Sequence, residues 1–536
     1  MNWLRRSLAA GAWAVALVSS QAGAEALLPA AHFQTSDRCV ACHNGMSDAT
    51  GQDFSIGLDW RVSVMGNSAH DPYWRASARR EVEEHPEARA AIEDECSVCH
   101  LPIPRYESKQ RGENGRIFSH FTGALADSKA ASDGVTCSVC HQIEPGNLGK
   151  EESFDGNFRI AAQLTDARYP EYGPYDIFTG LQHVMQSSTQ GFTPMRGDHI
   201  RSSELCATCH TLRTQARDPD GHIVGTLPEQ MPYQEWQHSA FRNERSCQSC
   251  HMPQVEHPVA IARTLGVERP DPRRHLFLGA NFFMQSALAR YRDELGPTAS
   301  SQELSAAADR TKAYLQAESA SLRITGASRT PDRLIVDVLV SNLGGHKLPT
   351  AFPSRRAWLH VSMKDASGRV LFESGALQPD GSIDGNDNDR DPTLYEPHYR
   401  EITKSDQVQI YEDILADSRG RVTTGILSAL TYAKDNRLLP RGFEKTRVPA
   451  DIAVYGDALQ DDGFTDAGHA IRYAPPITAV TGPVEVLVEL LYQPIGFRWA
   501  SNLQAYRSEE TTLFSQIYQS QSTGSATRLA QARQLF

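Results

Sequence analysis

The stretch Asp133-Gly-Val-Thr-Cys-Ser-Val-Cys-His-Gln142 contains the pattern that decides how this chain folds. Two cysteines stand three residues apart, and a histidine directly follows the second one. The pattern occurs five times: Cys39, Cys42 and His43; Cys96, Cys99 and His100; Cys137, Cys140 and His141; Cys206, Cys209 and His210; Cys247, Cys250 and His251. Together the five copies use all ten cysteines of the 536-residue chain. This spacing is the attachment signature of c-type haem.

The chemistry of haem attachment explains each residue of the pattern. Two thiols at this spacing reach the two vinyl groups of one porphyrin and form thioethers, and the histidine that follows can bind the iron. A zinc site would need its ligands grouped in fours, and it does not explain the histidine after every second cysteine. A disulfide framework is unnecessary in a chain long enough to bury a large core. We therefore expect five covalent haems, each with its motif histidine as the proximal iron ligand.

The N-terminus has the features of a secretory signal peptide, residues 1–24. Arg5 and Arg6 precede an apolar stretch at 8–18, and Ala22-Gly-Ala24 forms a small-residue cleavage site. A membrane anchor is the alternative, but the apolar stretch is too short to span a bilayer, and no later stretch approaches that length. The sequence thus predicts a periplasmic or extracellular protein with no membrane span in the mature chain.

The charge balance narrows the choice of partners. The chain has 53 Lys and Arg against 65 Asp and Glu, and removal of residues 1–24 takes away two arginines and no acid. The mature formal charge is then 51 minus 65, or −14. An acidic surface argues against nucleic acid and against anionic lipid as partners. It suits other redox proteins with basic surfaces, although acidity is also an ordinary means of staying soluble.

The five motifs end at His251, about halfway along the chain, and this divides it into two regions. We expect residues 25–320 to form a pentahaem cytochrome c domain of loops and short helices, because the porphyrins supply much of the apolar core. An amphipathic helix is predicted over 275–295. Another begins near Ser300, where Ser300 and Glu303 form a capping box.

After residue 320 the pattern changes to strands. Alternating or β-branched runs at 333–340, 357–363, 407–411 and 484–490 are separated by clusters of Gly, Pro and Asp. We expect residues 321–497 to form an antiparallel β domain of the sandwich type. The remaining residues, 498–536, are predicted to be a polar, partly helical tail.

The function of a haem depends on its sixth ligand, because a second side chain closes the site to substrates. Fourteen histidines lie outside the motifs, so the supply of ligands is ample. Four have a favourable local context and are our candidates for distal ligands: His120, His199, His275 and His346. Each is equally open to the alternative of a surface residue or a propionate partner. His85, His222 and His257 stand beside proline or charged residues and are expected at the surface.

Two further elements contain a tryptophan and a serine at the same spacing, Trp60-Arg-Val-Ser-Val-Met65 and Trp236-Gln-His-Ser-Ala-Phe241. Here the sequence resembles the multihaem cytochrome c family that includes electron carriers of hydroxylamine oxidation, whose members often have Trp-x-x-Ser-x-His near a haem motif. Met65 occupies the position of that histidine, so the resemblance implies that it ligates a haem, and its place in the sequence favours one of the first two. Packing in the core is the alternative role for Met65. Phe241, in the second copy, cannot ligate.

The resemblance covers residues 33 to about 260 through short elements of this kind. The C-terminal region resembles the β domain appended to some multihaem cytochromes, on the residues Gly345-His-Lys-Leu-Pro-Thr350 and Lys434-Asp-Asn-Arg-Leu-Leu-Pro440. This likeness indicates the cofactor and the class of protein, and it implies no substrate. No motif has lysine in place of histidine, which counts against the nitrite-reducing pentahaem enzymes.

One acidic loop is a candidate for calcium binding, because it is dense in carboxylates, the ligands that Ca²⁺ prefers. It contains Asp380, Asp384, Asp387 and Asp389. The loop lacks the full EF-hand pattern, so a solvated acidic loop is the alternative.

Three classes of function fit these features. The first is an electron-transfer protein that relays electrons between redox partners through five covalent haems. The second is a multihaem oxidoreductase that acts on a small nitrogen or sulfur compound at one open haem. The third is a docking subunit of a larger redox complex. The sequence favours the relay over the enzyme and leaves the enzyme class open.

Overall fold

The structure, a computed structural model, describes residues 32–48, 50–120, 129–165, 168–189, 191–477 and 482–536, apart from the side chain of His120. The predicted signal peptide, residues 1–24, lies outside these ranges. Within them, no helix combines the length and the apolar character that crossing a bilayer requires.

The N-terminal half consists of short helices joined by loops and single helical turns. Its helices are α1 Ser36–Val40, α2 Ile56–Arg61, α3 Pro72–Glu84, α4 Arg89–His100, α5 Pro102–Gln110, α6 Lys129–Ser132, α7 Cys137–His141, α8 Thr179–Thr189, α9 Ser203–Ala207, α10 Pro232–Gln237, α11 Cys247–His251, α12 Phe282–Arg290, α13 Arg292–Leu295 and α14 Ser301–Glu318. Three two-stranded sheets accompany them: β1 Tyr169–Gly173 with β2 Phe192–Arg196, β3 Leu212–Arg217 with β4 Ile223–Gln230, and β5 Val259–Ala260 with β6 Glu268–Arg269.

The helix predicted from Ser300 is confirmed, and the one predicted over 275–295 is shorter than expected. Ser300 caps α14, and Glu303 returns the bond to the Ser300 main chain, which completes the predicted capping box. In the other segment, α12 begins only at Phe282, where the side chain of Asn281 accepts a hydrogen bond from Met284 N. A break at Tyr291 then separates α12 from α13.

The C-terminal half is built on two five-stranded sheets. Its strands are β7 Ala320–Arg329, β8 Leu334–Asn342, β9 Arg356–Asp365, β10 Val370–Ser374, β11 Glu401–Ile402, β12 Ile410–Tyr411, β13 Asp413–Asp417, β14 Val422–Thr423, β15 Ala429–Asp435, β16 Phe464–Thr465, β17 Gly468–Tyr473, β18 Val484–Gln493 and β19 Thr527–Leu535. Its helices are α15 Asp387–Arg390, α16 Phe497–Asn502 and α17 Glu509–Gln521.

One sheet has the order β10-β9-β18-β19, with β12 beside β9, and the other has the order β11-β17-β8-β7, with β16 beside β17. A smaller sheet has the order β14-β13-β15. All pairings in these sheets are antiparallel except β11 with β17. Val338 of β8, Val361 of β9 and Val488 of β18 are buried in one hydrophobic core that both large sheets share. This arrangement agrees with a sandwich.

The last residues differ from the predicted polar tail. They begin as helix, as expected, but β19 then pairs along almost the whole of β18. In addition, α17 packs on α3 of the N-terminal half, where the rings of Phe514 and Tyr73 lie 5.1 Å apart. The chain end therefore completes a sheet and joins it to the haem-motif half.

Buried polar contacts also join the two halves. Glu81 of α3 accepts hydrogen bonds from Ile426 N at 2.8 Å and from Leu427 N at 3.2 Å. Arg79 forms a bidentate ion pair with Glu510, at 2.7 and 2.9 Å. Since buried main-chain N–H groups need an acceptor, Glu81 stabilises a β-domain loop from the other half of the molecule.

Candidate haem-binding centre

Each of the five Cys-x-x-Cys-His motifs lies on a turn of helix. Helices α7 and α11 consist of a motif alone, and α4 ends with one. In the first motif, His43 N donates to Cys39 O at 2.9 Å, and in the fourth, His210 N donates to Cys206 O at 3.0 Å. Residues three apart on a helix share a face, so the two thiols of a motif point to the same side. All ten cysteines are free of disulfide bonds.

Four of the five motif histidines are oriented by a main-chain carbonyl. The partners of their Nδ1 atoms are Ile261 O for His43 at 2.7 Å, Ser68 O for His100 at 3.3 Å, Tyr172 O for His141 at 2.5 Å and Leu278 O for His251. A carbonyl only accepts, so Nδ1 must carry the proton and Nε2 is left free. A metal-bound histidine is normally held in this way. His210 has no such partner in the described part of the chain.

The protonation state of these imidazoles is that of a metal ligand. Burial lowers the pKa of all five motif histidines, to about 4 for His100 and His251. A neutral imidazole has a lone pair to donate, whereas a protonated one has none. At neutral pH the five side chains are therefore ready to bind iron without first losing a proton.

Cys42, the second cysteine of the first motif, is held through its main chain. Cys42 N donates to Cys39 O at 3.1 Å, and Cys42 O accepts from Arg263 N at 2.9 Å. Ile261 of the same loop orients His43, so one segment fixes both residues. The half-buried thiol of Cys42 has no partner from another motif among the described contacts, which differs from the thiol of Cys39. The assignment of Cys42 and of the other nine cysteines as haem thioethers rests on the sequence spacing and stays a prediction.

Two motif histidines face a second imidazole at the separation that a shared metal ion requires. The rings of His141 and His275 are 6.4 Å apart with an angle of 18° between their planes. Those of His251 and His346 are 6.2 Å apart with an angle of 12°. Metal–imidazole bonds of about 2 Å on opposite sides of one ion place ring centres roughly 6 Å apart. Both pairs fit this geometry.

The second imidazole of each pair is also oriented through Nδ1. His275 Nδ1 donates to Arg273 O at 3.1 Å, and His346 Nδ1 donates to Lys347 O at 2.9 Å. Burial lowers the pKa of His275 to about 3. The residues present therefore fit a haem between two histidines at the third and the fifth motif.

The other predicted distal ligands have no such geometry in the described residues. His199 Nε2 bonds to Ile143 O at 2.9 Å, which fixes its proton on Nε2, and its ring lies 4.9 Å from that of Tyr172. The main chain of His120 ends a helical turn, Phe118–His120, but its side chain lies outside the described residues. His199 and His120 therefore remain expectations as ligands.

Met65 lies between two motifs. Its carbonyl accepts hydrogen bonds from Val135 N at 3.1 Å and from Ser68 N at 3.3 Å. Val135 precedes Cys137 by two residues, and Ser68 O holds the imidazole of His100. The main chain of Met65 is thus next to the second and third motifs, and its half-buried side chain remains a candidate ligand.

The two elements with Trp-x-x-Ser, residues 60–65 and 236–241, have the same local structure. Trp60 Nε1 donates to Val135 O at 3.0 Å, and Trp236 Nε1 donates to Arg245 O at 2.9 Å. Each acceptor lies two residues before the first cysteine of a motif, Cys137 or Cys247. In both elements the serine hydroxyl also donates to the tryptophan carbonyl, at 2.7 and 2.8 Å. The resemblance between the two elements is therefore structural.

Sequence reasoning missed one candidate ligand and misplaced another histidine. His32 precedes Cys39 by seven residues, as His199 precedes Cys206, and its buried Nε2 has no hydrogen-bond partner among the described residues. The equal spacing was a usable signal. His85 was expected at the surface, but it is 6% exposed and its Nε2 bonds to Ser428 Oγ at 3.2 Å. His222 and His257 are exposed, as expected.

The motifs contact one another in a connected pattern. Three pairs of thiols from different motifs are near enough to shift each other's pKa: Cys39 with Cys137, Cys99 with Cys209, and Cys206 with Cys247. Cys247 N also donates to Ser203 Oγ at 3.1 Å, which joins α11 to α9.

The third and fourth motifs are close as well. Interaction with the Cys247 thiol and burial raise the pKa of the Cys206 thiol, and the nearby charge of Cys140 raises it further. The fourth motif therefore neighbours the second, the third and the fifth, while the first motif neighbours the third. All five motifs form one connected group.

The candidate calcium loop is not supported. Both carboxylate oxygens of Asp389 accept hydrogen bonds from Arg356, at 2.8 and 3.0 Å. Asp380 accepts from the main chain and hydroxyl of Ser382. Because Arg356 already neutralises the buried Asp389, that carboxylate cannot serve a cation with Asp380, Asp384 and Asp387. The acidic loop is held by hydrogen bonds within it and by Arg356 of β9.

A buried cluster in the β domain, His398, Asp461 and His469, brings three metal-ligand types together. The side-chain amide of Asn436 donates to His398 Nδ1 at 3.1 Å, since its Oδ1 is occupied by Glu412 N. His398 must then carry its proton on Nε2, which donates to Asp461 Oδ2 at 2.9 Å. This tautomer leaves His398 no lone pair for a metal, so the cluster is a hydrogen-bond network of the β-domain core.

Comparison with known proteins shows the fold. No known protein family matches the sequence, and no curated protein matches it. The crystal structure of a penta-heme cytochrome c552 from Thermochromatium tepidum is similar, with a TM-score of 0.51 and 15% sequence identity, over 94% of this chain and 99% of that chain. At this identity the likeness concerns the fold alone. Nearly the whole chain therefore has a multihaem cytochrome fold.

Proposed function

We propose that the chain is an exported pentahaem c-type cytochrome that relays electrons between redox proteins. Bound haem supplies a one-electron Fe(III)/Fe(II) couple, and the protein decides its position, its ligands and its access to solvent. Five haems would be held by thioether bonds to Cys39, Cys42, Cys96, Cys99, Cys137, Cys140, Cys206, Cys209, Cys247 and Cys250. The proximal ligands would be His43, His100, His141, His210 and His251.

The observation that carries this proposal is the contact between attachment sites. A relay needs its redox groups close together, and the first motif adjoins the third, the third adjoins the fourth, and the fourth adjoins the second and the fifth. The fourth motif would then be the branch point of the array. Electrons entering at any haem would have a route to all the others.

The paired imidazoles support a closed, electron-transferring role for two of the haems. His141 with His275, and His251 with His346, would fill both axial positions of the third and fifth haems. With both positions filled by protein, no small molecule can bind the iron directly. Such sites exchange electrons with neighbours and leave substrates unchanged.

The proposed location and partners follow from the sequence. Haem attachment to an exported chain fits the signal peptide at residues 1–24 and a periplasmic location. The mature formal charge of −14 favours redox partners with basic surfaces, because opposite charges speed the encounter of two proteins. Association with a partner of this kind should weaken as ionic strength rises.

A second candidate function is favoured by one observation. His43, His100 and His210 have no parallel imidazole opposite them among the described residues, and His210 also lacks a carbonyl at Nδ1. A haem at one of these motifs with an open axial position would suit an oxidoreductase that acts on a small nitrogen or sulfur compound.

Spectroscopy of the ferric holoprotein separates the two candidates. The relay predicts low-spin signals from all five irons, and no change when nitrite, hydroxylamine or cyanide is added. A high-spin component that shifts on adding any of these would favour the oxidoreductase and contradict a purely electron-transferring role.

A further inference from the structure

The β domain reaches the fifth motif through one loop, residues 344–350, which follows β8 and contains His346. The loop fits closely against the element at 236–241. A Cβ atom on Gly345 would lie 3.2 Å from Phe241 Cβ and 3.3 Å from Trp236 Cδ1. This close approach leaves little room for a side chain, so glycine allows the loop to enter beside the haem-motif half.

Glu235, the residue before Trp236, holds this loop from the other side. Its side chain is fully buried. Glu235 Oε2 accepts hydrogen bonds from Lys347 N at 3.1 Å and from Thr350 Oγ1 at 2.6 Å. The carboxylate therefore bonds to the residue directly after His346 and to the end of the loop.

Two buried cations complete the contact. Arg437 Nη1 lies 3.2 Å from Glu235 Oε1, and Lys347 Nζ donates to Asp435 Oδ2 at 2.7 Å and to Ala453 O at 3.0 Å. Lys347 is 0% exposed. Removing one member of a buried ion network leaves the others unpaired, at a large cost. The loop is thus fixed by charges from both halves of the molecule.

The position of His346 depends on the same main chain. Its Nδ1 donates to Lys347 O, and its carbonyl accepts from Asn342 Nδ2 at 2.7 Å. Lys347 therefore makes both main-chain contacts: its N–H donates to Glu235, and its carbonyl accepts from His346 Nδ1. A shift of this peptide would rotate the imidazole away from His251.

We propose that Glu235 is a positioning residue for the fifth haem: by holding residues 347–350 it keeps His346 facing His251, and so makes the β domain a part of that haem centre. This inference rests on the proposed function, which assigns His346 to the iron. It gives the β domain a role in iron ligation.

The chain offers a matched control in Glu81. This carboxylate is also buried, at 5% exposure, and it also joins an N-terminal helix to main-chain N–H groups of a β-domain loop. The loop it holds, at Ile426 and Leu427, contains no histidine. Glu81 and Glu235 are therefore both buried carboxylates that hold the main chain of a β-domain loop, and only Glu235 adjoins a proposed iron ligand.

The test compares Glu235→Ala, Glu235→Gln and Glu81→Ala in the ferric holoprotein, by electron paramagnetic resonance and magnetic circular dichroism. We expect one haem of five to become high-spin in Glu235→Ala, and to return to low-spin when imidazole is added. Glu235→Gln keeps an oxygen for Lys347 N and should show a smaller high-spin fraction. Glu81→Ala should lower the melting temperature without changing any spin state.

His346→Ala separates failure of the inference from failure of the proposed ligation. If His346→Ala produces a high-spin haem but both Glu235 variants stay fully low-spin, Glu235 has no positioning role and the ligation stands. If His346→Ala leaves every spin state unchanged, His346 is not a ligand and both ideas are wrong. If Glu235→Ala fails to fold, the spin state of Glu235→Gln decides whether Glu235 positions His346. A high-spin fraction supports that role, and a fully low-spin spectrum contradicts it.

Discussion

His251 and His346 face each other with nearly parallel rings, 6.2 Å apart, although one ends the last Cys-x-x-Cys-His motif and the other lies in a loop of the β domain. A pair of this geometry requires both halves of the chain to be folded against each other. The shared hydrophobic core, which joins α12 and α14 to the sandwich strands, has the same requirement. The β domain therefore shares one hydrophobic core with the haem-motif half of the chain.

Replacing His275 by alanine should change the spin state of one haem. The imidazole of His275 is the only described one parallel to His141, so its loss should leave the third haem high-spin in the ferric state, measured by electron paramagnetic resonance. His70→Ala is the control, because carbonyl oxygens face both ring nitrogens of the buried His70, Leu295 O at 2.7 Å from Nδ1 and Ser132 O at 2.9 Å from Nε2. An unchanged spectrum for His275→Ala would show that His275 is not a ligand.

Replacing Met65 by leucine tests the predicted thioether ligand. A thioether stabilises ferrous iron relative to imidazole, so the haem it binds should be the most easily reduced. The oxidised protein should show a weak sulfur-to-iron band near the red edge of the visible spectrum, which Met65→Leu removes while preserving volume. Met46→Leu, in a buried cluster with Phe54, should keep the band. A band that is absent from the start, or that survives Met65→Leu, would assign Met65 to the core.

The β-domain network should destabilise the protein in acid. Burial lowers the pKa of His398 from 6.5 to about 3, so the folded protein keeps this imidazole neutral where the unfolded chain protonates it. The free energy of unfolding then decreases as pH falls from about 6.5 towards 3. Each unit of difference between the unfolded and folded pKa corresponds to about 1.4 kcal/mol. In His398→Gln, which cannot titrate, the melting temperature should fall less steeply over this range. The control is His257→Gln, at an exposed position, whose melting temperature should depend on pH as the wild type's does. If the melting temperature of His398→Gln falls as steeply as that of the wild type, His398 does not cause the loss of stability.

Strand β19 should contribute strongly to stability, although it lies in the predicted tail. Leu529 is 3% exposed in the sandwich core, so Leu529→Ala should lower the free energy of unfolding by about 2–4 kcal/mol. Leu535, in the same strand, is 66% exposed. Leu535→Ala should therefore change the free energy of unfolding by less than about 0.5 kcal/mol. Equal effects in calorimetry would mean that β19 does not pair with β18 in solution.

The sequence predicted much of the fold because its signals were local. The motif turns, the capping box at Ser300 and the alternation in β8, β9 and β18 each depend on residues close together in the chain. The short β12 and the pairing of β19 with β18 depend on distant partners. The polar alternation of β19, with exposed residues at most positions, gave little sign of a strand.

The candidate haem centre shows the same division. Spacing alone predicts the ten thioether cysteines and the five proximal histidines, whereas a distal ligand can come from any part of the chain. His275 and His346 were proposed from context, and their facing partners, His141 and His251, appear only in three dimensions. His85 was misjudged because the neighbouring proline and glutamates suggested exposure, whereas its contact with the β domain at Ser428 comes from a distant part of the chain.

The central claim is that all five motifs carry haem in one protein. The most direct test is the intact mass of the mature, denatured holoprotein, because thioether-linked haem survives denaturation. We expect the polypeptide from residue 25 onward plus the mass of five haems. A mass excess of four haems or fewer would contradict the account, since one of the five attachment sites would then be empty.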